Sequence, residues 1–473
     1  MKLTISLSFA VCLLQAQSAL TPDQQAAIKR ISANSLKGDV SFLSSDLLEG
    51  RDTPSAGLDI AAEFVASQFR RAGLEPAVDG GYLQTAAMVL QKPVRSGQRL
   101  VARIGGNEIA IDKGVLARNE SELELHGEIV WKYDAEGLRT ASAADLRGKV
   151  IAIESLPPQA FRSLRQSPAK LIVIASRIPG FGNANRIVDK SRTAGGAIVS
   201  VENDEFREAL KRQPLGRTTM TLDTRLPAPE EKPFKASNVA GLLRGSDPEL
   251  SKTFVLVSAH YDHIGVSTRE GPDRIYNGAN DDASGTASVI ETAYSLASLK
   301  PRPKRSILFI AFFGEEKGLI GSRYYAEHPL VPLETSVAGL SLEQIGRTDE
   351  EKGPALKSIR VTGQDFSDIV TTMQSAIESA GVKIERDDAQ RSASFFARSD
   401  NFSLAEKGIP AHTICVAYVY PDYHGLGDHW DKIDYENMES VVRAIAAGIL
   451  AIAENPTPPK WNKDNPAAAR YAK

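Results

Sequence analysis

Cysteine is nearly missing from this chain: two occur in 473 residues. One of them, Cys12, lies in a short N-terminal apolar run, so Cys415 is left without an intrachain partner once that run is removed. No disulfide framework can then support the fold, which has to rest on core packing and bound metal. Long apolar runs are also missing. Leu3 to Leu14 is too short for a spanning helix, which needs about 20 apolar residues. Charge of one sign is not in excess either. The net charge is −3 and the basic residues are dispersed, so nothing marks a nucleic-acid binder. There is no internal repeat, no HExxH helix, no GxSxG elbow and no GxxxxGK[ST] loop. Zincin, serine-hydrolase and phosphate-loop chemistries therefore drop out.

The chain does hold enough hydrophobic residues, 42%, to bury a substantial core, and its length suits two or three domains. Residues 1–19 read as a signal peptide: Lys2 is a positive start, an apolar run follows, and small residues stand near Ala19. The expected location is periplasmic or extracellular, with no stable membrane anchor. Asp59 to Ala72 repeats its apolar residues at helical spacing, with Gly73 to close it. Residues 90–235 differ in texture, with short β-rich runs and many turns; Val150–Ile153, Leu171–Ile174 and Ala197–Val201 read as strands. Pro227, Pro229 and Pro233, mixed with charges, read as a linker.

Beyond the linker, strand and helix alternate. Phe254–Ser258, Ser306–Phe313 and Val337–Leu342 read as strands; Ala283–Leu299, Asp365–Ala380 and Met438–Glu454 read as helices. The pattern predicts an α/β fold with a mixed, largely parallel sheet between helices. Residues 456–473 contain Pro456, Pro458 and Pro459 and read as a loose tail.

Ligands in such a fold bind at the carboxyl ends of the strands, and here every strand exit carries a metal-capable residue. His260, Asp262 and His263 follow the first strand, Glu315 and Glu316 the second, and Glu343 the third. Asp281 and Asp282 precede a helix, and His424 follows the apolar run ending near Tyr418. Taken singly, each has a plainer reading as a helix cap, a solvated charge or a structural histidine. Gathered together, they would be costly without a cation. Nitrogen and oxygen donors without sulfur suit catalytic Zn, Mn or Co. Two histidines and three carboxylates exceed one open tetrahedral site and suit two ions, with one further carboxylate free as general base.

At these residues the sequence resembles the bacterial leucyl-aminopeptidase-type di-zinc exopeptidases, whose superfamily includes glutamate carboxypeptidases, transferrin receptor and glutaminyl cyclases. The matching segments are VSAHYDHIG from Val257, NGANDDASGT from Asn277, RSILFIAFFGEEKGLIGSRYYAEHP from Arg305, SLEQIGR from Ser341, ARSDNFSLAEKGIPA from Ala397 and DYHGLGDHWDKID from Asp422. FLSSDLLEGR from Phe42 resembles the family's N-terminal segment. ADLRGKVIAIES from Ala144 and AGGAIVSV from Ala194 resemble a protease-associated domain inserted into the catalytic fold.

The resemblance implies two Zn2+ per monomer, held by His260, Asp281, Glu316, Glu343 and His424. Asp281 would bridge the two, with a cis peptide after it. Glu343 sits where many members have Asp. Glu315 matches the general base, Asp262 the residue that steers His260, and Asp428 an acidic residue that follows the last ligand; His263, His412 and His429 are rival ligands. The implied layout is residues 20–89 and 236–455 as the catalytic domain around an insert at 90–235. The expected activity is an aminopeptidase acting on peptide substrates. The alternatives are a carboxypeptidase or dipeptidase, a glutaminyl cyclase, and a degenerate binding ectodomain.

Overall fold

The computed structural model describes residues 20–472 except 112–113, 157–163, 165–166, 179–180, 182–184, 193–194 and 352. The expected signal peptide lies outside the described residues. The chain divides into two compact units, one formed by residues up to Ala86 together with Ala236–Lys473, the other by Ala87–Lys235.

The first unit is built on a mixed sheet. Its strands are β1 (Glu230–Leu243), β2 (Phe254–His260), β3 (Ser306–Phe312), β4 (Ser336–Leu342), β5 (Ser358–Val361) and β6 (Ala411–Cys415). They run in the order β5-β6-β4-β2-β3-β1. The inner four, β6, β4, β2 and β3, are parallel, and β5 and β1 flank them antiparallel. Every residue of β2 and β3 is buried, the condition under which a strand reads as a continuous apolar run. Leu256, Leu308, Ile310 and Phe312 share one cluster with Tyr325 and Leu404 from two short helices, Ile320–Glu327 and Asn401–Ala405. Helix α1 (Ser284–Ala297) packs across β2, β3 and β4. Its first turn comes so close to the sheet that a Cβ on Gly285 would fall 2.1 Å from the Leu342 carbonyl oxygen. Only glycine fits there.

The second unit carries an eight-stranded sheet. Val150–Ile153, Leu171–Ile174 and Ala197–Val201 lie side by side in parallel register, fully buried, as their apolar spelling predicts.

Three sequence readings need correction. The proline-rich linker is a strand in part: Pro227 and Pro229 lie between strands, but Glu230–Leu243 runs through Pro233. Residues 230–233 are exposed, so the missing proline N–H leaves no buried ladder bond open. The helix expected from Asp365 starts at Ile369. Its would-be first turn is taken up by the C-terminal segment, which pairs Ser367 with Trp461 and accepts the Asp368 N–H at the Lys460 carbonyl. For the same reason that segment is not loose. Trp461, Ala468 and Tyr471 are buried against Phe366, Phe396 and Phe402, and Trp461 Nε1 donates to the Gly408 carbonyl at 2.8 Å. Three prolines end the preceding helix, but they do not prevent an aromatic anchor after them. Among the described residues no helix is long and apolar enough to cross a membrane.

Candidate metal centre

The parallel strands β2, β3 and β4 end side by side, and the chemistry-bearing residues sit at those ends. His260 is the last residue of β2. Glu315 and Glu316 follow β3 after Gly314, whose φ of 66° turns the chain. Glu343 directly follows β4. Asp281 and Asp282 occupy an irregular turn before α1, joined by a cis peptide, and His424 lies on a loop beyond β6 with a φ of 52°.

These side chains converge. Asp281 lies between two histidines: Oδ1 is 3.2 Å from His260 Nε2 and Oδ2 is 3.2 Å from His424 Nε2. His260 Nε2 also stands 3.9 Å from Glu343 Oε1, and His424 Nε2 stands 3.1 Å from Glu316 Oε1. Two donor sets thus share Asp281, one with His260 and Glu343, the other with Glu316 and His424. All but His424 are largely buried; the His424 side chain is 38% exposed.

A lattice of hydrogen bonds holds this arrangement. The Asp262 carboxylate accepts the backbone N–H of Glu315 at 3.0 Å and of Glu316 at 3.4 Å, fixing both glutamates. His260 Nδ1 faces the Asp262 carbonyl at 3.2 Å and its carboxylate at 3.6 Å, which turns Nε2 toward the centre. Asp282 points away from the donors and accepts from Gly285 and Gln344 N–H groups, so it braces the turn. Asp428 accepts from the N–H groups of Asn280 and Asp281 and from Tyr420 Oη. Ser399 Oγ donates to Glu343 Oε1.

The electrostatics ask for a cation. Burial works against the charged form of His260, but the carboxylates of Asp262 and Asp281 at hydrogen-bond range override it and raise its pKa well above the usual histidine value. His424 follows the same balance: burial opposes its charge, Asp281 and Glu316 favour it, and the outcome is about 10. Burial likewise raises Glu315 far above the carboxylate range, opposed by His260 and reinforced by Glu343, Glu316 and Asp400. Burial raises Glu343 to about 8, with His260 and Ser399 opposing. So much buried negative charge around two imidazoles is stable only if positive charge joins it. Protons can supply that charge, or a divalent ion can. The nitrogen and oxygen donors fit a divalent ion. Glu316 Oε1 and both ring nitrogens of His263 have no partner in hydrogen-bond geometry, and an ion would satisfy Glu316 Oε1 and one of those nitrogens.

The rival histidines separate clearly. His412 is fully buried and satisfied: Nδ1 donates to the Thr362 carbonyl at 2.7 Å, and Nε2 lies 2.6 Å from Ser367 Oγ. Burial lowers its pKa to about 4, against the Thr362 bond, so it is a neutral core residue. His429 Nε2 lies 3.5 Å from Asp273 Oδ2 and belongs to neither donor set. His263 does approach, with Nδ1 3.1 Å from Glu316 Oε1.

Arg51 has a structural part that the sequence left unassigned. Fully buried, it donates to the carbonyls of Tyr261, Asn277, Gly278 and Leu43, tying the FLSSDLLEGR segment to the loops of His260 and Asp281. The segment's spelling was visible in the sequence, but three of the four targets of its guanidinium lie about 210–230 positions away and were not.

The family comparison falls on the same residues. Peptidase family M28 matches residues 238–449. A probable zinc metalloprotease of Pyricularia oryzae (strain 70-15) is 28% identical over 278 residues, 56% of this chain and 52% of that protein. Aminopeptidase YwaD of Bacillus subtilis (strain 168) is 29% identical over 215 residues, 44% of this chain and 43% of that one. The chain spans about half the length of these curated relatives. An aminopeptidase from Aneurinibacillus sp. strain AM-1 superposes with a TM-score of 0.54 at 21% identity, over 90% of this chain and 95% of that chain, and so shares its fold. The stretch that matches Peptidase family M28, residues 238–449, is just under half of the chain and contains every residue of both donor sets.

Proposed function

We propose that the chain is an exported, zinc-dependent aminopeptidase that removes residues from the N-termini of peptides. The observation that carries this reading is the placement of Asp281 between His260 and His424, with the buried Glu315 carboxylate within electrostatic reach of His260. The names of the relatives, a probable zinc metalloprotease and an aminopeptidase, favour zinc as the metal and a free peptide N-terminus as the substrate end. His260, Asp281 and Glu343 would hold one ion, and Asp281, Glu316 and His424 the other. When bound, zinc lowers the pKa of water and polarises a carbonyl oxygen. Glu315 takes the proton of the attacking water and delivers it to the leaving amine. The Asp262 carboxylate accepts its backbone N–H and fixes its position.

Residues 90–235 would be a protease-associated-like insert without metal ligands, and residues 1–19 a signal peptide directing the protein to the periplasm or outside the cell. Peptides are the expected partners, with neither nucleic acid nor a stable membrane anchor.

One observation favours a second reading, a carboxypeptidase. Arg398 is exposed, and its Nη2 lies 3.4 Å from Tyr423 Oη, while the Tyr423 ring stacks on His424 at 4.2 Å. Arg347 does not serve the same purpose, because Asp349 and Asp422 already hold its guanidinium. The test uses protein recovered from the exported fraction, with its mass measured. Two peptides are supplied, one acetylated at its N-terminus and one amidated at its C-terminus. An aminopeptidase that has lost residues 1–19 cleaves only the amidated peptide; cleavage of the acetylated one alone establishes the carboxypeptidase.

A further inference from the structure

His263 is fully buried, yet neither of its ring nitrogens makes a hydrogen bond. Buried polar groups are rarely left that way unless something else satisfies them. The backbone holds the residue firmly, because the His263 N–H donates to the Arg51 carbonyl at 3.3 Å. Room for the ring comes from Gly278, at a φ of 59°, where a Cβ would fall 2.5 Å from His263 Cγ. The ring therefore sits in a cavity that the metal loop leaves for it.

The contacts around it outline a coordination shell. His263 Nδ1 and His424 Nε2 each lie 3.1 Å from Glu316 Oε1, and His424 Nε2 lies 3.2 Å from Asp281 Oδ2. Donor atoms of His263, Asp281 and Glu316 all fall within 4.8 Å of one another. Around a tetrahedral ion with bonds of about 2.0–2.1 Å, neighbouring donors stand about 3.4 Å apart. The three short contacts are close to that spacing, and the His263 contact lacks hydrogen-bond geometry.

We propose that His263 is a protein ligand of the divalent cation shared by Asp281 and Glu316, and that it anchors that ion more firmly than His424 does. The proposal rests on the two-metal reading above. The two imidazoles differ in the way that matters for retention. His263 is buried and walled by Gly278, whereas His424 is 38% exposed on a loop with a left-handed residue. The exposed ligand can swing away while the buried triad keeps the ion.

The test measures zinc binding to the full chain by calorimetric titration and by metal content after desalting. His263→Ala should weaken the second equivalent by more than about 100-fold, beyond the 10–100-fold usual for an outer partner of a ligand. His424→Ala should keep both ions with a smaller loss. His263→Asn is close in size and keeps an N–H donor toward Glu316, so it separates coordination from mere orientation. If Asn fails as Ala does, coordination is upheld; if Asn or Ala binds two ions with wild-type affinity, the proposal is overturned. A wild-type chain that saturates at one ion removes the two-metal reading instead. In that case loss of that ion in His263→Ala still upholds the assignment, and its retention overturns it.

Discussion

Glu315 and Glu316 are neighbours in sequence and opposites in setting. Glu316 meets two imidazoles, which outweigh burial and the Asp281 charge and pull its pKa down to about 2. Glu315 is raised chiefly by burial, with His260 opposing and Glu343, Glu316 and Asp400 adding. Adjacent carboxylates pushed apart in this way suit one for metal and the other for proton transfer. Glu315→Gln should therefore keep the zinc content of the wild type while losing on the order of 10²–10⁴-fold in kcat. Turnover within a few-fold of wild type, measured on the same substrate at full metal loading, would remove Glu315 from the role.

At the scale of elements, the centre depends on strands that end in register. β2 and β3 pair residue for residue from Phe254–Ser306 to His260–Phe312. The C-terminal segment supports the far side of this sheet. Trp461 packs on His412 of β6 at 5.8 Å and on Phe396 at 6.2 Å. Trp461→Ala should cost about 3–5 kcal/mol, as for other buried aromatics cut to alanine. Urea unfolding checks this; a loss under about 0.5 kcal/mol would return the segment to the status of a loose tail.

Across the whole molecule, one buried pair ties global stability to pH away from the metal centre. Asp39 and Glu291 are both buried, near Arg71, and Asp39 Oδ2 has no hydrogen-bond partner. Burial, with Glu291 adding and Arg71 opposing, raises the Asp39 pKa from 3.8 to about 7. The folded state thus favours the protonated carboxyl. Its penalty is nil below about pH 4, grows as pH rises to about 7, and is constant above that. Asp39→Asn should match the wild type near pH 4 and gain on the order of 2–4 kcal/mol at pH 8, because each tenfold change in proton affinity is worth about 1.4 kcal/mol. Unfolding curves of both proteins at the two pH values, with equal zinc, decide it. A variant no more stable than wild type at pH 8 would show that Asp39 is solvated or paired in the fold.

The alternation of strand and helix, the buried parallel strands and the donor residues at their exits are all legible in the order of the amino acids. Those signals are local: apolar runs set the strands, and the residues just beyond must lie at the strand ends. Local spelling also marked His412 and His429 as candidates, and long-range packing was needed to dismiss them. His412 spends both ring nitrogens on Thr362 and Ser367, about 45–50 positions away. Packing also brought His263 beside Glu316, aimed Asp282 back at its own turn and gave Arg51 three distant carbonyls. It turned the proline-rich C-terminus into an anchor, because Trp461 finds its pocket among residues about 50–100 positions earlier. A strand or helix is decided by neighbours within a few residues, so periodicity reveals it. The direction of a side chain, and the partner that satisfies it, are decided by packing between segments far apart in the chain, and no local pattern records that.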